Sequence, residues 1–211
     1  MIISEAPPIV SGVSRTAGNL TSGLAELGYH VDTLSVNEIP RLIKGEVRLS
    51  SMLWKAPRVF GGSLGAYDVV HIHGPVPTFS DVALLLSCLR RKGGGPVVVY
   101  THHNEIDLPK VGPFCAAYNW SHKQLAKLAD QVIVGTPTYA NDLRHYVPAE
   151  RVAVVPFSVD SHWYDERIPK AERFTVLFVG QLRPYKGVET LIDAASRVPD
   201  VDVHIVGRGY Q

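Results

Sequence analysis

Cysteine, an excess of one charge and long apolar runs are all scarce in this chain of 211 residues. The two cysteines, Cys88 and Cys115, lack the spacing of redox or metal motifs, so we expect buried, reduced thiols. The 21 Lys and Arg residues balance 20 Asp and Glu to a net charge of +1, which argues against nucleic acid as a partner. The longest nearly unbroken apolar run, Val82 to Leu89, is far shorter than the roughly 20 residues that cross a bilayer, and the chain opens without a secretory signal. We therefore expect a cytoplasmic protein.

Short blocks of Val and Ile alternate along the chain with segments of helical period, a pattern typical of a parallel sheet with crossover helices. The predicted strands are Met1–Ser4, His30–Val36, Asp68–His73, Pro96–Thr101, Gln131–Val134, Arg151–Val155, Phe174–Val179 and Val201–Val206. The clearest helix carries an apolar stripe at steps of four and three residues: Val13, Ala17, Leu20, Leu24 and Leu27. The other predicted helices are Phe79–Arg91, Pro113–Ala129, Thr136–Tyr146 and Gly187–Arg197. The predicted fold class is α/β, with a parallel sheet covered by helices on both faces.

A change in composition divides the chain. The stretch Pro156–Arg173 lacks periodicity, and a new strand begins at Phe174. We therefore predict an N-terminal domain over residues 1–160, a hinge over 161–173 and an incomplete second domain over 174–211, which is too short to bury its own core. Because the chain opens inside a strand and stops just after one, we expect both ends to be cut.

Two turns between a strand and a helix carry the features of an anion site. The first ends at Gly12, where a glycine lets a ligand approach the backbone at a helix N-terminus; a tight turn that simply needs Gly12 is the alternative. The second places Arg183 and Lys186 in a loop that leads into a helix, so side-chain charge and backbone donors suit a pyrophosphate; two solvated cations are the alternative. Open α/β sheets bind ligands beyond the carboxyl ends of their strands, which favours the pyrophosphate.

Histidines gather at two predicted strand ends. His71 and His73 lie two positions apart on one strand and so share a face, and His102 and His103, followed by Asn104, end another strand. One of the latter two histidines is expected to join the first pair. A zinc site and purely structural histidines are the alternatives, but no separated carboxylate or cysteine ligand is evident. We expect at least one of these histidines to contact a substrate.

Taken together, six segments resemble the retaining GT-B glycosyltransferases of family 4, also called group 1. They are PPIVSGVSRTAGNLTSGLAELGYHV, DVVHIHGP, VVVYTHHNEID, ADQVIVGTPTYANDL, RVAVVPFSVD, and VGQLRPYKGVETLIDA followed by VHIVGRGY. They stand in family order and cover nearly the whole chain. The resemblance implies two facing Rossmann-like domains. The N-terminal one mainly binds a glycan or lipid-linked acceptor, and the C-terminal one mainly binds a nucleoside-diphosphate sugar as the donor.

The resemblance also implies roles for individual residues. Gly12 matches the glycine-rich loop that approaches the donor phosphates, and Arg183 with Lys186 match the diphosphate clamp. His103 matches the histidine near the transferred sugar, and it is the expected catalytic residue. Further candidates for substrate or acceptor contact are His73, His102 (the rival of His103 in the alignment) and Asn104.

Two positions depart from the family pattern. Relatives commonly carry Arg directly after the glycine of the VG motif, where this chain has Gln181, so Arg183 is favoured as the arginine of the clamp. Ser11 replaces the first half of the usual glycine pair, which leaves the close approach to Gly12. The implied chemistry is transfer with retention of configuration. The cations stabilise the diphosphate leaving group without a metal or other cofactor, and the histidine positions or polarises rather than forming a covalent bond.

The family's donor half normally continues to a glutamate pair that this chain lacks. Glu38 and Glu46 have the spacing of that pair but not its flanking glycines, so we expect little transferase activity from the chain alone. Two other functions stay open: a GT-B nucleotide-sugar epimerase, and a noncatalytic acceptor-binding module that pairs with a separate donor-half chain. The basic and aromatic segment Ser50–Phe60 suits peripheral contact with the inner face of the cell membrane; a connection that covers the sheet edge is the alternative.

Overall fold

The computed structural model describes residues 1–3, 6, 11–35, 41–44, 47–50, 64–90, 94–107, 111–158 and 169–209, with only the backbone of 41–44, 47–50, Cys88 and Arg90. The chain divides into two compact units, Met1–Ser158 and Val159–Gln211, which we call unit 1 and unit 2. The division falls inside the stretch Pro156–Arg173, where the sequence loses its periodicity.

Unit 1 is built on a parallel sheet of six strands. The described strands of unit 1, including two outside that sheet, are in chain order β1 (Ile2–Ile3), β2 (Leu34–Ser35), β3 (Arg41–Lys44), β4 (Val47–Ser50), β5 (Val69–Gly74), β6 (Val97–His102), β7 (Gln131–Val134) and β8 (Val152–Val154). The six-stranded sheet has the order β2-β1-β5-β6-β7-β8, while β3 and β4 pair with each other as an antiparallel hairpin. The parallel strands bury Val, Ile and Tyr side chains because helices cover them.

In the described ranges, four helices accompany this sheet: α1 (Gly12–Glu26), α2 (Ser80–Arg90), α3 (Gly112–Ala126) and α4 (Pro137–Leu143). Thr136 caps α4, since its hydroxyl accepts from the backbone N–H of Tyr139 at 3.4 Å, and Pro137 occupies the first turn as predicted. Strands and helices contribute to one core, whose largest fully buried apolar members are Tyr100, Phe79, Ile72, Leu84 and Leu143. The predicted α/β class and parallel sheet are confirmed.

Some element bounds differ from the prediction. The β3–β4 hairpin was not predicted, because strands of four residues are too short to establish a period. The predicted helix Pro113–Ala129 begins at Gly112 and ends at Ala126. Cys115 is a free, buried thiol, as expected. Apart from the backbone of Ser50, the segment Ser50–Phe60 lies outside the described residues, as do Glu38 and Glu46.

Unit 2 contains β9 (Thr175–Val179), one turn of 3-10 helix (Pro184–Lys186), α5 (Val188–Ala195) and β10 (Asp202–Val206). The two strands pair in parallel over their full length. Gly207 is required by close packing, since a Cβ there would lie 1.8 Å from the carbonyl oxygen of Gly180. None of residues 169–209 is buried, so the described part of unit 2 has no core of its own.

In the ranges that the structure describes, no helix has both the length and the apolar character needed to cross a membrane.

Candidate functional site

The histidines near the carboxyl ends of β5 and β6 lie on both faces of the sheet. In the parallel register His73 pairs with Thr101, and Gly74 pairs with His102. Because side chains alternate along a strand while paired residues share a face, His73 and His102 point to opposite faces of the sheet. His103 follows β6 directly and returns to the face of His73. His102 and His103, the two candidates for the catalytic histidine, therefore lie in different environments.

Three imidazoles and one phenyl ring, from His71, His73, His103 and Phe157, lie in a row that we call the histidine stack. Successive ring centroids are 4.5 Å, 5.2 Å and 5.0 Å apart. His73 Nδ1 lies 2.9 Å from His103 Nε2, and His71 Nε2 lies 2.7 Å from the hydroxyl of Thr101. His73 is 1% exposed, whereas His103 is half-buried. His73 is thus enclosed between the half-buried rings of His71 and His103. Of these two, His103 lies beyond the carboxyl end of β6, at the edge where open α/β sheets bind ligands, so it is the imidazole that a ligand is expected to reach.

On the opposite face, Asp81, Tyr100, His102 and His122 form what we call the buried network. The hydroxyl of Tyr100 lies 2.6 Å from His122 Nε2 and 3.2 Å from His102 Nδ1. His122 Nδ1 contacts the carboxylate of Asp81, which also accepts a hydrogen bond from the Tyr118 hydroxyl at 3.1 Å. His102 is only 2% exposed. The predicted contact of His102 with a substrate has no support in this placement, because the ring is part of the core.

The imidazoles of His71, His73, His102 and His103 are uncharged at pH 7. Burial in a medium of low polarity disfavours the charged imidazole, and it lowers the pKa of His71 and His103 to about 4 and that of His102 to about 3. The pKa of His73 falls well below its ordinary value for the same reason, with further repulsion from His71 and His103. His103 therefore presents an uncharged imidazole at the surface.

Asn104 is exposed and lies on the loop that follows β6. Its side-chain amide donates to the backbone carbonyl of Glu105 at 2.9 Å. Lys123 of α3 contacts the carboxylate of Glu105 and also that of Asp142 in α4, the latter at 2.6 Å. Burial alone would lower the pKa of Lys123, but hydrogen bonds and charge from Asp142 and Glu105 outweigh it and raise that pKa. This ion pairing anchors the loop beside His103 to two helices.

Gly12 is the first residue of α1. Ser11 is the N-cap: its hydroxyl accepts from the Ser14 N–H at 3.1 Å, while the Ser14 hydroxyl accepts from the Ser11 N–H at 3.0 Å. No described residue would come within 4 Å of a Cβ at Gly12. Because α1 follows β1, the neighbour of β5 in the sheet, Gly12 belongs to the same carboxyl edge as the histidine stack. The serine that departs from the family pattern therefore has a capping role.

In unit 2, Arg183 and Lys186 flank the 3-10 turn between β9 and α5. Arg183 is its N-cap and Lys186 its last residue. Gly187 then adopts a left-handed conformation with φ of 71° and starts α5. The Arg183 guanidinium donates from Nε to the side-chain carbonyl of Gln181 at 3.0 Å. Gln181, the other departure from the family pattern, thus orients the arginine, and both cations belong to one turn at a helix start.

Phe157 was missed by sequence reasoning although it packs on His103. Its ring fits because residue 135 is glycine, where a Cβ would lie 2.8 Å from the phenyl carbons. Phe157 stands in the quoted segment RVAVVPFSVD, but no local pattern indicates that it reaches back to a histidine 54 positions earlier. Among the described residues, no group of three or more His, Cys, Asp or Glu side chains is arranged to hold a metal ion.

Comparison with known proteins identifies the class. The sequence profile described as Glycosyltransferase Family 4 matches residues 10–163, which is most of the chain. This chain belongs to glycosyltransferase family 4.

Two curated proteins and one solved structure are similar along almost the whole chain. The chain is 28% identical to the O-antigen chain mannosyltransferase C of Escherichia coli, covering 96% of this chain and 58% of that protein. It is 31% identical to the D-rhamnosyltransferase WbpZ of Pseudomonas aeruginosa, covering 95% of this chain and 56% of that protein. The crystal structure of Anabaena Alr3699/HepE in complex with UDP and glucose matches with a TM-score of 0.64 at 18% identity, over 99% of this chain and 60% of that one. That likeness concerns the fold, which is α/β of the GT-B type. The chain spans little more than half the length of the curated relatives.

Proposed function

We propose that this chain takes part in transferring a sugar from a nucleoside-diphosphate sugar to a glycan or lipid-linked acceptor, with retention of configuration. Family membership supports the reaction class, and the relatives are named for transfer of mannose in an O-antigen chain and of D-rhamnose. The similar solved structure was determined with UDP and glucose. The observation that carries the proposal is the turn of Arg183 and Lys186, which places two cations at one strand-to-helix junction.

In this proposal the cation turn holds the donor diphosphate. The planar fork of Arg183, oriented by Gln181, suits two phosphate oxygens, and Lys186 adds a point charge. As the sugar leaves, negative charge grows on the diphosphate, and these cations stabilise it more in the transition state than in the ground state. The two positive charges and the helix N-terminus take the part that a metal ion plays elsewhere.

His103 of the histidine stack contacts the transferred sugar in this proposal. Its imidazole is neutral and half-buried, so it offers a hydrogen bond without adding charge. Unit 1 by itself also offers an anion the start of α1 at Gly12, where backbone N–H groups are not used within the helix. The acceptor binds at the exposed side of that edge, near Asn104.

Isothermal titration calorimetry of the 211-residue chain with UDP and GDP tests this proposal, with UMP and GMP as matched ligands that lack the second phosphate. We expect the diphosphates to bind more tightly than the monophosphates. The double variant Arg183→Ala/Lys186→Ala is expected to remove that difference, while the control Arg144→Ala/Lys127→Ala, on exposed side chains of unit 1, leaves it unchanged. Equal binding of mono- and diphosphates, or no binding at all, contradicts the proposed donor site; no binding favours a noncatalytic module.

A further inference from the structure

The contact between His73 and His103 has a chemical consequence for the imidazole that a ligand reaches. His73 Nδ1 and His103 Nε2 are 2.9 Å apart, a hydrogen-bond distance between two ring nitrogens. Burial keeps both rings neutral. A neutral imidazole has one N–H donor and one acceptor nitrogen, so a single proton lies between the rings, and its owner determines the tautomer of each.

Two arrangements are possible. If His73 Nδ1 carries the proton, His73 Nε2 is a bare acceptor and His103 carries its own proton on Nδ1. If His103 Nε2 carries the proton, His73 must be protonated on Nε2, and His103 Nδ1 becomes an acceptor. The difference therefore appears at two places: in the interior at His73 Nε2, and at the surface at His103 Nδ1.

The environment of His73 Nε2 in the core distinguishes the two arrangements. His73 is 1% exposed, and its Nε2 has no hydrogen-bond partner among the residues that the structure describes. Buried N–H groups without an acceptor are rarer in proteins than acceptors that lack a donor. The arrangement that leaves a bare nitrogen in the core is therefore preferred over the one that leaves an unpaired N–H there.

We propose that His73 is a positioning residue: it donates from Nδ1 to His103 Nε2 and thereby makes His103 a hydrogen-bond donor, through Nδ1–H, toward an oxygen atom of the sugar donor. No described residue bonds His103 Nδ1, so that N–H is available to a ligand. The backbone N–H of His103 donates to the Gly74 carbonyl at 2.9 Å, and the Phe157 ring covers one face of the imidazole. These contacts leave the ring little freedom to turn over. The ligand part of this inference rests on the proposed function, whereas the tautomer does not.

Long-range ¹H–¹⁵N correlation spectra of the chain with ¹⁵N-labelled histidine report which ring nitrogen is protonated. We expect Nδ1–H for both His73 and His103 at pH 7. His73→Asn places an amide donor near the position of the native Nδ1 and is expected to retain Nδ1–H on His103. His73→Gln places its amide farther along the side chain and is expected to lose that control. The matched control Thr101→Val removes the hydroxyl that contacts His71 and leaves the His103 tautomer unchanged.

Protonation of His103 at Nε2 in the unaltered chain overturns the inference, as does retention of Nδ1–H in the Gln variant. Calorimetry separates this result from the proposed function. If both hold, His73→Gln weakens binding of a nucleoside-diphosphate sugar about 2- to 10-fold, as for one neutral hydrogen bond, but leaves binding of the nucleoside diphosphate unchanged. If the tautomer is as stated and neither ligand binds, the proposed function fails while the role of His73 in orienting His103 stands.

Discussion

The two faces of the sheet at the end of β6 hold similar residues in opposite circumstances. The histidine stack lies on one face and leads outward to the half-buried His103 and to Phe157, which is 42% exposed. The buried network lies on the other face, where His102 and His122 share the hydroxyl of Tyr100. Consecutive histidines therefore differ in role because strand alternation sends one to the surface and the other to the core. The function of a histidine at a strand end can therefore be inferred only once the face it occupies is known.

Breaking the buried network at its centre is expected to lower the stability of the chain more than the other changes. Tyr100→Phe removes the hydroxyl that pairs with both His102 Nδ1 and His122 Nε2 and leaves these nitrogens in the core without that partner. We expect a loss of about 2–4 kcal/mol in the free energy of unfolding, measured by urea denaturation. Tyr29→Phe, at an exposed tyrosine, is the control and should change little. A stability equal to that of the unaltered chain would contradict the structural role of the network.

Acid is expected to lower the free energy of unfolding through histidines on both faces of the sheet. The folded-state pKa values, about 4 for His71 and His103 and about 3 for His102, lie below the ordinary value near 6.5, so the unfolded chain binds protons first as the pH falls. Stability is thus complete above about pH 6.5 and declines between there and pH 4, by about 1.4 kcal/mol per pH unit for each neutral histidine. Urea titrations from pH 8 to pH 5 measure this, and His102→Asn should lower the slope. A flat profile from pH 7 to pH 5 is incompatible with neutral buried rings.

A smaller loss of stability is expected from a change in the histidine stack. Phe157→Ala removes the ring that stacks on His103 and should cost about 0.5–1.5 kcal/mol of stability. Water then reaches the imidazole, so the pKa of His103 should rise from about 4 toward its ordinary value, as followed by NMR titration. Phe114→Ala, at an exposed phenylalanine on α3, is the control. If the pKa of His103 stays where it is, Phe157 does not shield it.

Local sequence patterns were sufficient for much of the fold. Blocks such as Gln131–Val134 appear as strands at the predicted residues, and Thr136 caps α4, because burial on both faces and capping are encoded by neighbouring residues. Local patterns could not predict which of His102 and His103 faces the core, since a shift of one residue in the strand exchanges the two faces. Nor was the contact of Phe157 with His103, which depends on how distant segments pack.

We propose that the face of the sheet that carries the histidine stack, and not the face that carries the buried network, belongs to the donor site. NMR of the histidine rings during titration with a nucleoside-diphosphate sugar tests this, because the five histidines of the two clusters are observed in one sample. We expect the resonances of His103 and, less strongly, His73 to shift on binding, while those of His102 and His122 do not. Shifts confined to His102 and His122, or none at any histidine under saturating ligand, would contradict it.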